Sequence, residues 1–284
     1  MDSIATFKLL IVLSVFLNVL ALGLEARGGD VFYMFKHWRL GLRAFVAMFL
    51  VVPLVATLLV ISFQFRREVE IAILLLSVSP VPPLLPKKQL KSGAEGQYAT
   101  GLLVGAALVS PLVALVGLHL FGLIFHTQAS ISFANLAMTL VITIIAPLLL
   151  GLVLQKVLGK HAQRAADVLG KVAGLMLALC ALALLVMLLP VIARVIGEGT
   201  ILALAIMIVA GLFAGHVLGS GTTGDRTALS LAAATRHPGV AMGIASTNFP
   251  DEKSVLVAIL VYVLLAVLIA IPFMWLRRRS ARPA

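Results

Sequence analysis

The chain has 284 residues, of which 62% are hydrophobic and only 12% are charged, and its mean hydropathy is +1.15. Soluble domains are about half apolar and a quarter charged, so this composition excludes an ordinary soluble protein and indicates an integral membrane protein. The formal net charge is +11. The basic residues stand in short segments between apolar runs, which favours membrane topology signals over a nucleic-acid surface.

Apolar runs of about twenty residues predict membrane-spanning helices, because a helix of that length crosses the hydrocarbon core of a bilayer. The predicted fold is all-α, a polytopic membrane protein with about nine transmembrane helices. In chain order the predicted spans are residues 4–25, 40–63, 68–86, 97–125, 134–155, 166–192, 199–219, 226–249 and 252–276. Residues 1–26 also resemble a cleaved signal peptide. We expect a retained helix, because cleavage would leave the basic residues from Arg27 to Arg43 on the outer face.

The segments between the predicted spans differ in their Lys and Arg content. If the N-terminus lies outside, the inner segments hold sixteen of the 22 basic residues and the outer segments hold five. Because positively charged loops stay in the cytoplasm, we predict a multi-pass protein of the cell (inner or plasma) membrane with its N-terminus out and its C-terminus cytoplasmic. The one basic residue left over is Arg236, inside a predicted span.

Prolines interrupt two of the predicted spans, the third within SVSPVPPLLP and the eighth within TRHPG. The crossover breaks are Pro80, Pro82 and Pro83 in the third span and Pro238 and Gly239 in the eighth. The breaks lie at matching depths, thirteen residues after Arg67 and twelve after Arg226, and the topology brings the two spans in from opposite faces. Inverted repeats with paired broken helices are typical of secondary transporters, whose binding sites lie where the breaks meet.

Arg236 lies ten residues beyond Arg226, which places it about 15 Å into the bilayer. An unpaired cation at that depth costs about 2.5–3.5 kcal/mol. All eleven acidic residues fall at predicted loops or helix ends, so backbone carbonyls, water or an anionic ligand must meet the guanidinium. Two hypotheses stay open: Arg236 pins the crossing helices, or it also binds a substrate carboxylate.

Further candidate substrate-binding residues lie in the broken spans: Ser77, Ser79, Thr235, His237 and Asn248. Their alternative role is structural, since membrane serines and threonines often bond to their own backbone. His237 could couple protons, although the adjacent arginine opposes its protonation. We expect Cys180 to be a buried core thiol and predict no metal site.

Two stretches resemble segments of the bile acid:sodium symporter superfamily. DRTALSLAAATRHPGVAMGIAS is similar to that family's ninth-helix region, with its Glu-x-Gly-x-Gln-Asn pattern, and LLLSVSPVPPLLPKKQL followed by GLLVGAALVSPLVALV is similar to its fourth and fifth helices. The likeness extends over most of the chain. It implies a single transporter unit, residues 1–284, that moves an organic anion by alternating access. Panel-type helices would occupy residues 4–63 and 134–192, and core-type helices 68–125 and 199–276.

The sequence departs from this family at the residues that bind sodium. Arg236 and His237 take the Gln-Asn positions, which puts Ala232 in the place of the sodium-binding glutamate, and Leu85 and Pro86 replace a Ser-Asn pair. The resemblance therefore implies no resident cofactor and leaves Na⁺ coupling in doubt, with Arg236 as a fixed cation in the place of a mobile one.

Two alternatives to this transporter remain: a sodium-coupled symporter with backbone-formed sodium sites, and a non-transporting membrane sensor or subunit. The predicted spans contain no paired carboxylates, zinc motif or nucleotide-binding motif, so no enzyme is predicted. The expected partners are a small organic anion and the lipid bilayer, without nucleic acid. Substrate identity, coupling ion, direction and oligomeric state stay open.

Overall fold

The computed structural model describes residues 3–26, 28–81, 96–124, 133–187, 197 and 199–280. In this part of the chain all regular secondary structure is helical, which confirms the predicted all-α class. Five of its stretches are long and apolar enough to cross a bilayer: Trp38–Ser62, Gln97–Ile124, Val141–Cys180, Thr200–Leu218 and Ser254–Arg277. The chain is therefore a multi-pass membrane protein. The number nine refers to the whole chain and stays a prediction.

The bounds of the helices follow the predicted spans. They are α1 (Ser3–Glu25), α2 (Trp38–Ser62), α3 (Arg67–Val78), α4 (Gly96–Ile124), α5 (residues 133–158), α6 (Ala162–Met187), α7 (Thr200–Leu218), α8 (Thr223–Ala234), α9 (Pro238–Asn248) and α10 (Ser254–Ser280). Hydropathy alone did not predict two short helices, Gly28–Val31 and Tyr33–Lys36. It also missed two π-helical segments, Val46–Val51 within α2 and Val141–Ile145 within α5.

Two groups of helices can be distinguished by their packing. Helix α1 lies along α5 and α6, and also reaches α9. Close approach of α1 to α5 depends on glycine, because a Cβ added at Gly23 would lie 2.9 Å from the Cα of Gly151. The other helices form a second group, in which α2 packs on α3 and α7, and α10 packs on α3 and α7. The assignment of panel-type and core-type domains stays a prediction.

Helices α3 and α8, the first halves of the two broken spans, enter from opposite ends of the bundle. Arg67, at the start of α3, pairs with Glu252 beside the start of α10, with Nε 3.5 Å from Oε1. Thr227, near the start of α8, accepts a hydrogen bond at 3.3 Å from Nε of Arg277, near the end of α10. Because α10 is about 40 Å long, these contacts lie at opposite ends. This agrees with the predicted entry from opposite faces.

The first half of the second broken span, α8, packs directly against α7, and glycines of α7 form the contact. A Cβ added at Gly215 would lie 2.3 Å from the Cα of Ser230, and one at Gly211 would lie 2.6 Å from the carbonyl oxygen of Ala233. Small residues of this kind let the backbones of membrane helices touch. Cys180, in α6, is buried as expected.

Candidate functional site

The first break follows directly from a proline. Helix α3 ends at Val78, and Ser79 turns to extended backbone with φ −68° and ψ 147°. A residue before proline is biased away from the helical region, and proline has no N–H to continue the ladder, so Pro80 ends the helix. Pro82 and Pro83, the other two predicted breaks of this span, lie outside the described residues.

The second break has the same cause and a better-defined restart. Helix α8 begins with a capping box between Thr222 and Asp225 and ends at Ala234, after which Thr235 is extended. Helix α9 then begins at Pro238, which suits a first helical position because its missing N–H would have no partner there. Both breaks thus stand where the sequence analysis placed them, at Pro80 and Pro238.

The two breaks touch each other. The backbone N–H of His237 donates to the carbonyl oxygen of Pro80 at 2.8 Å. This hydrogen bond joins residues far apart in sequence and satisfies one backbone group at each break. The predicted meeting of the two interrupted helices is therefore confirmed.

Arg236 lies at this meeting point and is only 2% exposed. Its Nη1 donates to the carbonyl oxygen of Ser79 at 3.2 Å, and its Nη2 donates to the carbonyl oxygen of Met48 at 2.5 Å. Its Nε is buried and has no hydrogen-bond partner in the part of the chain that the structure describes. Within the described residues the guanidinium has no acidic partner. One cation therefore joins the second break to α2 and to the end of α3, through carbonyl oxygens alone.

The local backbone explains why these two carbonyls are available. Ser79 follows the end of α3, where the last carbonyls receive no hydrogen bond from an N–H of the helix. Met48 lies in the π-helical segment Val46–Val51. A π-bulge disturbs the regular ladder of an α-helix, and such segments are frequent at functional sites. The C-terminal end of α3 also carries partial negative charge, which favours a cation.

A neutral donor serves the end of α8. The hydroxyl of Tyr262, in α10, donates to the carbonyl oxygen of Ala234 at 2.7 Å, and the whole residue is 2% exposed. Tyr262 therefore satisfies the last helical residue of α8, as Arg236 satisfies the residue that follows α3.

The other candidate polar residues bond to their own helices. The hydroxyls of Ser77, Ser79 and Thr235 donate to Leu74, Leu75 and Leu231, and the amide of Asn248 donates to Ile244. Ser79 and Thr235 flank the meeting point, and Ser77 lies two residues earlier, in α3. Asn248 is the last residue of α9, about 15 Å along the helix from Pro238. The structure does not bring Asn248 to the breaks.

Gly239 lies at the contact between α9 and α1, and the His237 ring lies beside it. His237 is 2% exposed, and its Nδ1 has no hydrogen-bond partner among the described residues. A Cβ added at Gly239 would lie 2.5 Å from Cγ2 of Val15 and 3.4 Å from Nδ1 of His237. Glycine at this position thus lets α1 approach the start of α9.

Two participants escaped sequence reasoning. Met48 contributes a backbone oxygen from a segment, VAMFLV, whose composition is that of any apolar span. Tyr262 is one of only three tyrosines in the chain, and a hydroxyl inside an apolar span is the signal that could have drawn attention to it.

The sequence model of the Sodium Bile acid symporter family matches residues 12–211. The match includes α2, with Met48, and the break after α3, and it ends before α8, so the segment that carries Arg236 lies beyond it. No curated protein matches the chain.

Proposed function

Because the chain belongs to the Sodium Bile acid symporter family, we propose that it is a secondary active transporter of a small organic anion that works by alternating access. The observation that carries this proposal is the buried guanidinium of Arg236 at the meeting of two interrupted helices. Broken helices of this kind place substrate and ion sites near the middle of the membrane. No enzymatic activity is proposed.

Arg236 is proposed to act as a fixed cation. Ala232, to which the resemblance assigns the position of the family's sodium-binding glutamate, is fully buried in α8 and brings no charge. The carbonyls at the end of α3 already have a positive partner in Arg236. A tethered charge would hold the crossing together without a bound sodium ion, so transport need not be coupled to sodium.

Arg236 is also proposed to bind the carboxylate of the substrate. A guanidinium has five N–H donors in a planar fork that matches a carboxylate. Two of its nitrogens hold carbonyls in this conformation, and Nε has no partner. If α2 or α3 moves away during the transport cycle, the freed donors become available to an anion. Arg236 would then hold the crossing helices together in one conformation of the protein and bind the substrate in another.

The neighbours of Arg236 would complete the anion site. The proposed contributors are Ser77, Ser79, Thr235, His237 and Asn248, of which Asn248 lies farthest from the breaks. Proline fills the first position of α9, and the next amides, at Gly239 and Val240, stand where a helix has no internal acceptor for them. This N-terminal end attracts anions through its dipole.

The second candidate function is sodium-coupled symport of the same kind of anion, which the family match favours. Its sodium sites would consist of backbone carbonyls and hydroxyls near the breaks. A non-transporting sensor or subunit is the remaining possibility, and it predicts that no carboxylate binds in a way that depends on Arg236.

A thermal-shift experiment separates these functions. Purified protein is melted with a panel of small carboxylates, with and without Na⁺, as wild type, Arg236→Gln and Arg226→Gln. Arg226 is a matched control because it lies on α8 but is exposed. We expect sodium-independent stabilisation by at least one carboxylate, lost in Arg236→Gln and kept in Arg226→Gln.

The other outcomes are equally informative. Equal stabilisation of wild type and Arg236→Gln would remove Arg236 from the binding site. Stabilisation that requires Na⁺ would favour symport, and no stabilisation by any carboxylate would argue against anion transport. Uptake of the stabilising carboxylate into proteoliposomes then tests transport itself.

A further inference from the structure

Two buried polar atoms, one on α1 and one directly before α9, have no hydrogen-bond partner among the described residues. They are Oδ1 of Asn18 and Nδ1 of His237, and both residues are 2% exposed. A buried polar atom that has lost its water and gained no partner is costly and rare in folded proteins. Such atoms therefore point to a polar ligand group.

Gly239 lies where α1 meets the start of α9. A Cβ added at Gly239 would lie 2.5 Å from Cγ2 of Val15 and 3.4 Å from Nδ1 of His237. The Val15 side chain and the His237 ring thus both lie beside this glycine. Asn18 lies three residues after Val15, about 4.5 Å along the helix axis. This spacing places Asn18 on the same side of α1 as Val15, the side that faces the start of α9.

The surroundings fix how both side chains are presented. The Nδ2 of Asn18 donates to the carbonyl oxygen of Ser14 at 2.9 Å, which orients the amide and leaves Oδ1 as its open acceptor. The backbone of His237 is held by the bond from its N–H to Pro80 and by Pro238 directly after it. Neither residue depends on the other for its position.

The chemistry of the two atoms selects the ligand group. An amide oxygen only accepts, so its partner must carry an O–H or N–H, whereas an imidazole nitrogen donates or accepts according to its tautomer. A hydroxyl can donate to Asn18 and at the same time bond to His237. We infer that Asn18 and His237 bind a hydroxyl group of the transported anion, which makes Asn18 a specificity-determining residue on α1 and the substrate a hydroxylated carboxylate. This inference rests on the proposed function.

Matched pairs of carboxylates that differ by one hydroxyl test the inference. The probes are lactate against propionate, malate against succinate, and hydroxybutyrate against butyrate, and their affinities are measured by thermal shift and calorimetry. A site built to bond a hydroxyl rejects the analogue that lacks it, so wild type should bind the hydroxylated member of at least one pair about tenfold or more tightly. Asn18→Leu, which keeps the volume but removes the acceptor, should bring that ratio close to one.

Ser14→Ala is the matched control. Ser14 is fully buried on the same helix, and its hydroxyl already donates to Ile11 at 2.7 Å, so the variant should keep the wild-type ratio. His237→Phe is the second variant and should also abolish the preference, should Asn18→Leu fail to fold. Melting temperatures without ligand show which variants are folded.

The inference is overturned if wild type binds both members of every pair alike, or if both variants keep the wild-type ratio. In that case, binding that still depends on Arg236 would leave the proposed function standing. If no carboxylate of either kind binds wild type, both proposals fail together.

Discussion

The two breaks follow helices of equal length but differ in the chemical groups that they present. Helices α3 and α8 each have 12 residues before the chain leaves the helical path. The first break offers acceptors, the carbonyl oxygens of Ser79 and Pro80. The second offers donors, the guanidinium of Arg236 and the N–H of His237. Each break therefore supplies what the other needs.

The difference shows how a membrane protein can satisfy interrupted backbone without water. Unpaired backbone groups in hydrocarbon cost several kcal/mol each, so irregular backbone persists only where protein groups bond to it. The end of α3 is met by a charged donor and the end of α8 by the neutral hydroxyl of Tyr262. A charged donor thus meets only one of the two ends. The two capping groups can be weakened separately.

The largest effect is expected from exchanging one cation for another at the meeting point, Arg236→Lys. An ammonium keeps the charge in the membrane interior, but its single nitrogen must approach carbonyls of Met48 and Ser79 together, which the two terminal nitrogens of arginine reach separately. Losing one charge-assisted hydrogen bond should lower stability by about 1.5–3 kcal/mol. Thermal melting in detergent measures the change.

Arg236→Met is the matched comparison for the lysine variant. It loses both hydrogen bonds, worth about 1.5–3 kcal/mol each, but it also removes the cost of a cation at mid-membrane depth, about 2.5–3.5 kcal/mol. The second term offsets most of the first, so Arg236→Met should be more stable than Arg236→Lys. If the lysine variant melts at or above the methionine variant, the two carbonyl contacts do not hold the cation as described.

The main features of this crossing could be predicted from sequence, and its partners could not. Hydropathy located the spans, and Pro80 and Pro238 located the breaks. The absence of intramembrane acid left backbone carbonyls, water or an anionic ligand as partners of Arg236, and the structure shows two carbonyls. The acceptor at Met48 was unpredictable because every residue carries a carbonyl, and hydropathy does not reveal the π-helical segment in which this one lies. The hydroxyls of Ser77 and Ser79 bond to the backbone of their own helix, as the alternative structural role of these residues predicts.

An added methyl group should affect stability differently at the glycines that pack against α8 and against α3. At Gly215 a Cβ would lie 2.3 Å from the backbone of α8, at Ser230. At Gly117, facing α3, a Cβ would meet only the side chain of Val78, at 2.6 Å from Cγ1. A side chain can rotate, whereas backbone must separate. Gly215→Ala should therefore lower stability by about 1–3 kcal/mol, the usual cost of overpacking, and Gly117→Ala by less.

Gly122→Ala completes this series as a control, because nothing lies within 4 Å of a Cβ added there. It should be neutral or slightly stabilising, since alanine favours a helix over glycine. Melting temperatures in one detergent should fall in the order Gly122→Ala, Gly117→Ala, Gly215→Ala. A Gly215→Ala variant as stable as Gly122→Ala would contradict direct backbone contact between α7 and α8.

The smallest effect is expected at the neutral cap, from Tyr262→Phe. The change removes one hydroxyl and leaves the carbonyl of Ala234 buried without its donor, which should cost about 1 kcal/mol in melting experiments. Ser110→Ala is the control, because the Ser110 hydroxyl bonds only its own helix, to Ala107 at 3.2 Å. Tyr262 carries no charge, so Tyr262→Phe does not recover a desolvation cost. The loss of stability should also be the same with every carboxylate ligand. A loss as large as that of Arg236→Lys would mean that the end of α8 depends on its cap as strongly as the end of α3, and that the charge of Arg236 adds nothing specific to the crossing.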